Sequence, residues 1–262
     1  MVKEKGKLIH VVIILTCILV LAMGPSPSVA TEILFDDFND GNYDGWTPTE
    51  YGGGSIWTAS EFHLQLNQTI IGAIAHESSV STGTWSFDIY CEYPDEGSGY
   101  YVETRAAVYF MVIDYPPNSD ATTKWSGYAI QTASAPSGEE LIHTFSLRKR
   151  VVDSVQGIFR GTILDSYLGD EFESRWYHID VTRTSNGQIT AFLNGTQILQ
   201  AVDTDFDSSD YFALVAEGQQ CFDNVRVNDQ ILYGGMGIEI IVLGIGAGVI
   251  LIVALVVIKQ RR

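Results

Sequence analysis

Trp176-Tyr-His-Ile-Asp-Val-Thr182, Gln188-Ile-Thr-Ala-Phe-Leu193 and Thr196-Gln-Ile-Leu199, separated by Asn186-Gly187 and Asn194-Gly195, decide the fold of this chain. Apolar and polar side chains alternate along the runs, the period of two that marks a strand with one buried face. Asn-Gly pairs tolerate the positive φ that a tight hairpin turn demands, so residues 176–199 read as three consecutive antiparallel strands.

Working outward, the same alternation recurs in Ile33-Leu-Phe-Asp-Asp-Phe38, Glu61-Phe-His-Leu-Gln-Leu66 and Trp85-Ser-Phe-Asp-Ile-Tyr-Cys91. It returns in Ile142-His-Thr-Phe-Ser-Leu147 and Cys221-Phe-Asp-Asn-Val-Arg-Val227. No helical period and no internal repeat interrupts residues 31–232, which predicts an all-β class: one antiparallel β-sandwich of roughly 200 residues.

The two ends differ from this body. Lys3, Lys5 and Lys7 precede an apolar run at 8–24, and Ser28 and Ala30 fit the small positions before a cleavage site, so 1–30 reads as a signal peptide. An uncleaved anchor is the other reading, although Pro25 and Pro27 break that helix just before the cut. Residues 238–258 carry one charge, Glu239, and at ~1.5 Å per residue span roughly 31 Å, the depth of a bilayer core. Lys259, Arg261 and Arg262 follow, which places the tail at 259–262 in the cytoplasm and the body outside, joined through a short stalk at 233–237. The expectation is a cell-membrane protein with a single pass. Gly244 and Gly248 have the spacing of a close helix–helix contact, suggesting a weak homodimer, against a glycine-rich helix with no partner.

The chain has 15 Lys plus Arg against 32 Asp plus Glu, and residues 31–236 hold nine of the former and thirty of the latter. So acidic a body excludes nucleic acid as a partner, because phosphates need a basic face. Cys17 leaves with the signal, so Cys91 and Cys221 make one disulfide or two buried thiols. Asn67-Gln-Thr69 and Asn194-Gly-Thr196 are N-glycosylation acceptors.

Phe35-Asp-Asp-Phe-Asn-Asp-Gly41 with Asp44-Gly-Trp46 and Trp57, then Trp176-Tyr-His-Ile-Asp-Val-Thr-Arg183, residues 187–195 and Phe222-Asp-Asn-Val225, resemble concanavalin A-like lectin/glucanase jelly rolls of the laminin-G type. The resemblance covers about 33–227. It implies two apposed sheets with the first and last strands as neighbours, in a superfamily of glycan binders, adhesion modules and hydrolases.

Asp40-x-Asn42-x-Asp44-Gly45 has the oxygen spacing of a calcium loop, but Tyr51 stands where an EF-hand needs its acidic twelfth ligand. A structural Ca2+ held by Asp36, Asp40, Asn42, Asp44 and Asp223 is one reading; an acidic turn is the other. No other cofactor is implied. Trp46, Trp57, Trp85 and Trp176 read as core packing. Trp125, Tyr128, Tyr115, Tyr100 and Tyr101 read as an aromatic platform for a sugar ring, or as a closed sandwich edge.

The Glu-x-Asp-x-x-Glu motif of the superfamily's laminarinase-type glucanases is absent, and Asp170-Glu-Phe-Glu173 has the wrong spacing. His63, His76, His143 and His178 fall at no metal spacing and read as strand faces, while Arg148-Lys149-Arg150 reads as a solvated strand end. The leading expectation is a non-enzymatic, lectin-like surface protein that binds glycans or surface proteins, or mediates adhesion. A membrane-tethered carbohydrate-active enzyme of glycoside hydrolase type and a structural surface-layer component are the alternatives.

Overall fold

The computed structural model describes residues 31–49, 57–60, 62–66, 71–91, 105–114, 125–137, 140–151, 161–171, 174–217 and 220–231. Both apolar end segments lie outside these, as do the stalk and the Gly244/Gly248 pair. No helix among the described residues is long and apolar enough to cross a membrane.

Among the described residues, fifteen strands form two antiparallel sheets. The first contains β1 (Glu32–Asp36), β3 (Trp57–Ser60), β4 (His63–Leu66), β6 (Gly83–Cys91), β11 (Arg175–Arg183), β12 (Gln188–Leu193), β13 (Thr196–Val202) and β15 (Cys221–Asn228). Its order is β13-β12-β11-β6-β15-β4-β3, and β1 shares an edge of β15 with β4. The second sheet runs β10 (Thr162–Glu171), β9 (Glu140–Arg150), β8 (Ser126–Ser137), β7 (Arg105–Ile113), β14 (Tyr211–Glu217), β5 (Ile71–Glu77), β2 (Trp46–Thr49). The meander read from 176–199 is β11-β12-β13, and Gly187 sits at φ +81, the left-handed turn that its Asn-Gly signal demands. First and last strands are neighbours, with Phe35 opposite Arg226 and Asp36 opposite Val225.

The core lies between the sheets. Trp85, Phe87 and Ile89 of β6 meet Phe110 of β7 and Phe212 of β14 in one apolar cluster, with Trp46 and Trp57 buried in it as expected. Sheet two is also covered outside: Ala73, Ala107, Tyr109, Trp125, Ala129 and Val215 form a second buried cluster on its far face. β7 and β14 are therefore buried on both sides and read as continuous apolar runs without alternation.

The cysteines are both thiols, which corrects the disulfide expectation. Register is the reason. Cys221 pairs with Tyr90, an outward residue of β6, whereas Cys91 turns inward toward Thr132 Oγ1 at 3.6 Å. Burial pushes the Cys91 thiol up to about 12.

Candidate functional site: the outer face of the first sheet

Alternation along four adjacent strands assembles the site. On β6, Ser86, Asp88 and Tyr90 point outward between the buried Trp85, Phe87 and Ile89. On β11, Trp176, His178 and Asp180 do the same around Tyr177, Ile179 and Val181. The ladder sets Trp176 opposite Tyr90, His178 opposite Asp88, and Asp180 opposite Ser86. From the other edge of β6, Asp223 of β15 also faces Asp88. His63 lies next along, on β4.

These groups form one hydrogen-bonded chain. His178 Nδ1 lies 2.5 Å from Asp88 Oδ1 and its Nε2 lies 3.4 Å from Asp180 Oδ1. Ser86 Oγ donates to Asp180 Oδ1 at 2.5 Å. Asn224 Nδ2 donates to Asp88 Oδ2 at 2.8 Å and to Asp223 Oδ2 at 3.0 Å, bridging the two carboxyl groups. Asn224 reaches both from a left-handed φ of 50 within the irregular register between Asp223 and Arg226.

Protonation follows from these contacts. Hydrogen bonds to Asp180 and then Asp88 raise His178 to about 10, so the imidazole stays a cation at neutral pH. Burial works against ionising Asp180, but the bonds from His178 and Ser86 prevail and hold its carboxyl below the usual range. Burial raises Asp223 to about 6, with the charges of Asp88 and Asp37 adding to it. One imidazolium among several carboxylates leaves the face net acidic and rich in acceptors, each oxygen keeping a lone pair beyond its present bond.

An aromatic surface adjoins the network. Trp176 is 41% exposed, its ring 5.5 Å from Tyr90 and 6.2 Å from His63 between centroids. Phe62, just before His63, is 65% exposed and held at a left-handed φ of 73, a conformation rare for an aromatic residue. An exposed indole beside ordered hydroxyl acceptors suits a sugar, whose apolar ring face stacks while its hydroxyls donate.

Trp176 faces solvent, against the expectation of core packing. The signal was present in the alternation: with Tyr177, Ile179 and Val181 inward, Trp176, His178 and Asp180 must face out. The aromatic platform also needs correction at Trp125 and Tyr128, both fully buried. They lie three residues apart, so they occupy opposite faces of sheet two. Trp125 packs on Tyr109 beneath the Arg150 guanidinium, while Tyr128 stacks on Phe110 in the core and donates its hydroxyl to Asp203. Tyr115, Tyr100, Tyr101 and Asn67 lie outside the described residues. Asn194 is exposed in the β12–β13 turn, where its Oδ1 accepts the His178 backbone N–H at 3.1 Å.

The acidic turn is built as a set of caps. Asp36 accepts from the Phe38 backbone at 2.8 Å and from Trp46 Nε1 at 2.7 Å, Asp40 accepts from Asn42, and Asn42 Oδ1 accepts from the Asp44 backbone. Asp223 takes part in the sheet-face network through Asn224. Among the described residues no three His, Cys, Asp or Glu side chains converge as a metal site. The basic cluster divides as alternation requires. Lys149 bridges Asp203 and Asp205 at 2.5 and 2.6 Å, whereas Arg150 is buried rather than solvated.

No known family profile matches the chain, and no curated relative does. Solved structures do match. The carbohydrate-binding module CBM66 from Bacillus subtilis aligns with a TM-score of 0.51 at 16% identity, over 69% of this chain and 93% of that one. The carbohydrate recognition domain of Emp46p, in a point-mutant form, aligns at 0.51 and 11% identity over 72% and 89%. The exoplasmic/lumenal domain of VIP36, in its Ca2+/Man-bound form, aligns at 0.50 and 13% identity over 72% and 84%. At such identities the likeness concerns the fold, and it agrees with the motifs at both ends of the body and with the pairing of β1 with β15. The described residues form a concanavalin A-like jelly roll.

Proposed function

We propose that this protein is a lectin-like glycan-binding module displayed at the cell surface, with the outer face of the first sheet as its binding surface. The observation that carries this reading is the exposed Trp176, braced by Tyr90 and His63, beside the Asp88–His178–Asp180 and Asp223–Asn224 network. Trp176 stacks on a sugar ring, and the carboxylates accept its hydroxyls. The acidic face favours neutral over uronic or sulfated glycans. In this reading the signal at 1–30 directs export, the helix at 238–258 anchors the chain with its N-terminus outside, and glycosylation at Asn194 would flank the site. Similarity of the fold to carbohydrate-binding modules and lectin domains supports it.

A hydrolytic reading has one observation in its favour: Asp223, raised to about 6, faces Asp88 through a shared amide. A carboxyl group held protonated toward neutral pH beside a second carboxyl group is what glycoside hydrolysis uses. A glycan array probed with the full chain in nanodiscs, with reducing ends assayed on every bound glycan, separates the two. Binding without cleavage supports the module; new reducing ends that disappear in Asp223→Asn support the enzyme; silence on both counts removes both.

A further inference from the structure

The register of the first sheet gives its outer face a direction. Residues opposite each other on antiparallel neighbours share a face, and one such row crosses five strands without a break. Trp176 of β11 faces Tyr90 of β6, Tyr90 faces Cys221 of β15, Cys221 faces Gln65 of β4, and Gln65 faces Thr58 of β3. The residues that flank this row along each strand, among them Tyr177, Ile89, Phe222, Leu64 and Trp57, belong to the core, so the row itself points outward. Four strand spacings of ~4.8 Å make it roughly 19 Å long.

No side chain of this row carries a charge at neutral pH. The row two residues along holds His178, Asp88 and Asp223, with their dense acceptors. The Trp176 and His63 rings come within 6.2 Å of each other although their strands stand three spacings, about 14 Å, apart. Both side chains therefore lean across the intervening strands, which lays the indole along the sheet rather than upright. Parallel to the strands the face closes: beyond His178 and Asp88 the outward positions Asp180, Thr182, Thr84 and Asn228 are buried. Thr84 Oγ1 donates there to Gln230 O at 2.9 Å. Along the row, by contrast, Trp176 is exposed and Tyr90, Gln65 and Thr58 are half-buried. The open path runs across the strands.

Resting on the glycan-binding reading above, we propose that the ligand is an internal stretch of a straight, neutral, β-1,4-linked glycan chain lying along this row, rather than a single terminal sugar. One ring stacks on Trp176, and the rings that follow pass the Gln65 amide and the Thr58 hydroxyl, which bond to their hydroxyls. Hydroxyls on the other edge of the chain donate to Asp88 and Asp223. An open sheet face covers little of any one ring, so the free energy that outweighs the cost of association accumulates over several. A chain linked equatorially at both ends runs as a flat ribbon and follows a straight row, whereas an α-1,4-linked chain coils away from it.

Isothermal titration of the full chain in nanodiscs with cellobiose, cellotetraose, β-1,4-mannotetraose and maltotetraose tests this. At least one of the two β-1,4 tetrasaccharides is expected to bind about tenfold or more tightly than cellobiose and than maltotetraose. Gln65→Ala and Thr58→Ala each weaken that tetrasaccharide roughly fivefold and leave cellobiose unchanged, a result that also certifies their fold. Trp176→Ala weakens all of these ligands. Binding of neither β-1,4 tetrasaccharide, equal affinity for cellobiose and both tetrasaccharides, tighter binding of maltotetraose, or wild-type affinity in both variants overturns the proposal. Failure of the underlying reading is distinguishable, because then no glycan on the array depends on Trp176; a terminal sugar that does depend on it overturns the chain alone.

Discussion

His178 and Asp88 face each other across the β11–β6 ladder, with His178 Nδ1 2.5 Å from Asp88 Oδ1. The pair turns a sheet surface into a fixed polar array, because Asp88 then meets Asn224 and Asn224 meets Asp223, while the second nitrogen of His178 faces Asp180.

This pairing predicts a pH dependence of stability. A histidine raised to about 10 from 6.5 contributes fully below pH 6.5, and that contribution disappears as pH rises toward 10. Its side chain is 45% exposed, so solvent screening limits the effect to roughly 1 kcal/mol. Urea unfolding at pH 6 and pH 10 should show a loss in the wild type that is absent in His178→Asn. An NMR titration of the imidazole near 6.5 would contradict the pairing.

Asp223 has the opposite character to a salt-bridged acid. Raised to about 6, it favours folding most when protonated, and that contribution is lost as pH rises from about 4 through 6. Asp223→Asn, which keeps a neutral group there, is expected to leave stability at pH 7 unchanged or raise it by under about 1 kcal/mol. Thermal melts at pH 5 and 7 check this: the wild type should lose relative stability between them and the variant should not.

Two tryptophans that look alike in sequence should behave differently. Trp85, fully buried and 5.2 Å from Phe110 between ring centroids, is expected to cost about 3–5 kcal/mol on truncation to Ala. Trp176→Ala should cost under about 1.5 kcal/mol, as it empties no core site, while abolishing glycan binding. Denaturant midpoints of the two variants, compared at equal slope, give the contrast.

The thiols supply a further check. A disulfide closing a loop of this length would add about 4–5 kcal/mol, so a bridged protein would melt much lower under reductant. With Cys91 and Cys221 turned to opposite sides of the sheet, the melting temperature should not move with reductant, and intact-mass measurement should find both thiols alkylated after unfolding.

Much of the fold was legible because one-sided burial writes itself as alternation. β6, β11, β12 and β15 were readable on that basis, and two Asn-Gly pairs marked the turns that join β11, β12 and β13. β7 and β14 carried no such mark, since a strand buried on both faces has no polar side to alternate. The site was legible only in part. Asp223 was singled out, but for a metal. Trp176 reads as core, His178 as a plain strand face and Asp88 carries no signal, because their meaning lies in register across strands 90 residues apart in sequence, which periodicity along one strand does not give. Trp125 and Tyr128 misled for a related reason: aromatic residues beside a polar loop read as exposed, and the second apolar cluster that buries Trp125 is assembled from four strands. The acidic turn was legible as alternating oxygens, and in the structure Asp36, Asp40 and Asn42 cap the backbone of the residues two positions on.

The central claim is that the outer face of the first sheet binds glycans through Trp176. The most direct measurement is the affinity of the full chain in nanodiscs for its strongest array-positive glycan, wild type against Trp176→Ala, with Phe35→Ala as the exposed aromatic control on the same sheet. Loss of at least tenfold in Trp176→Ala, with Phe35→Ala within about twofold of wild type, is the predicted result. Equal affinities in all three proteins would contradict the account.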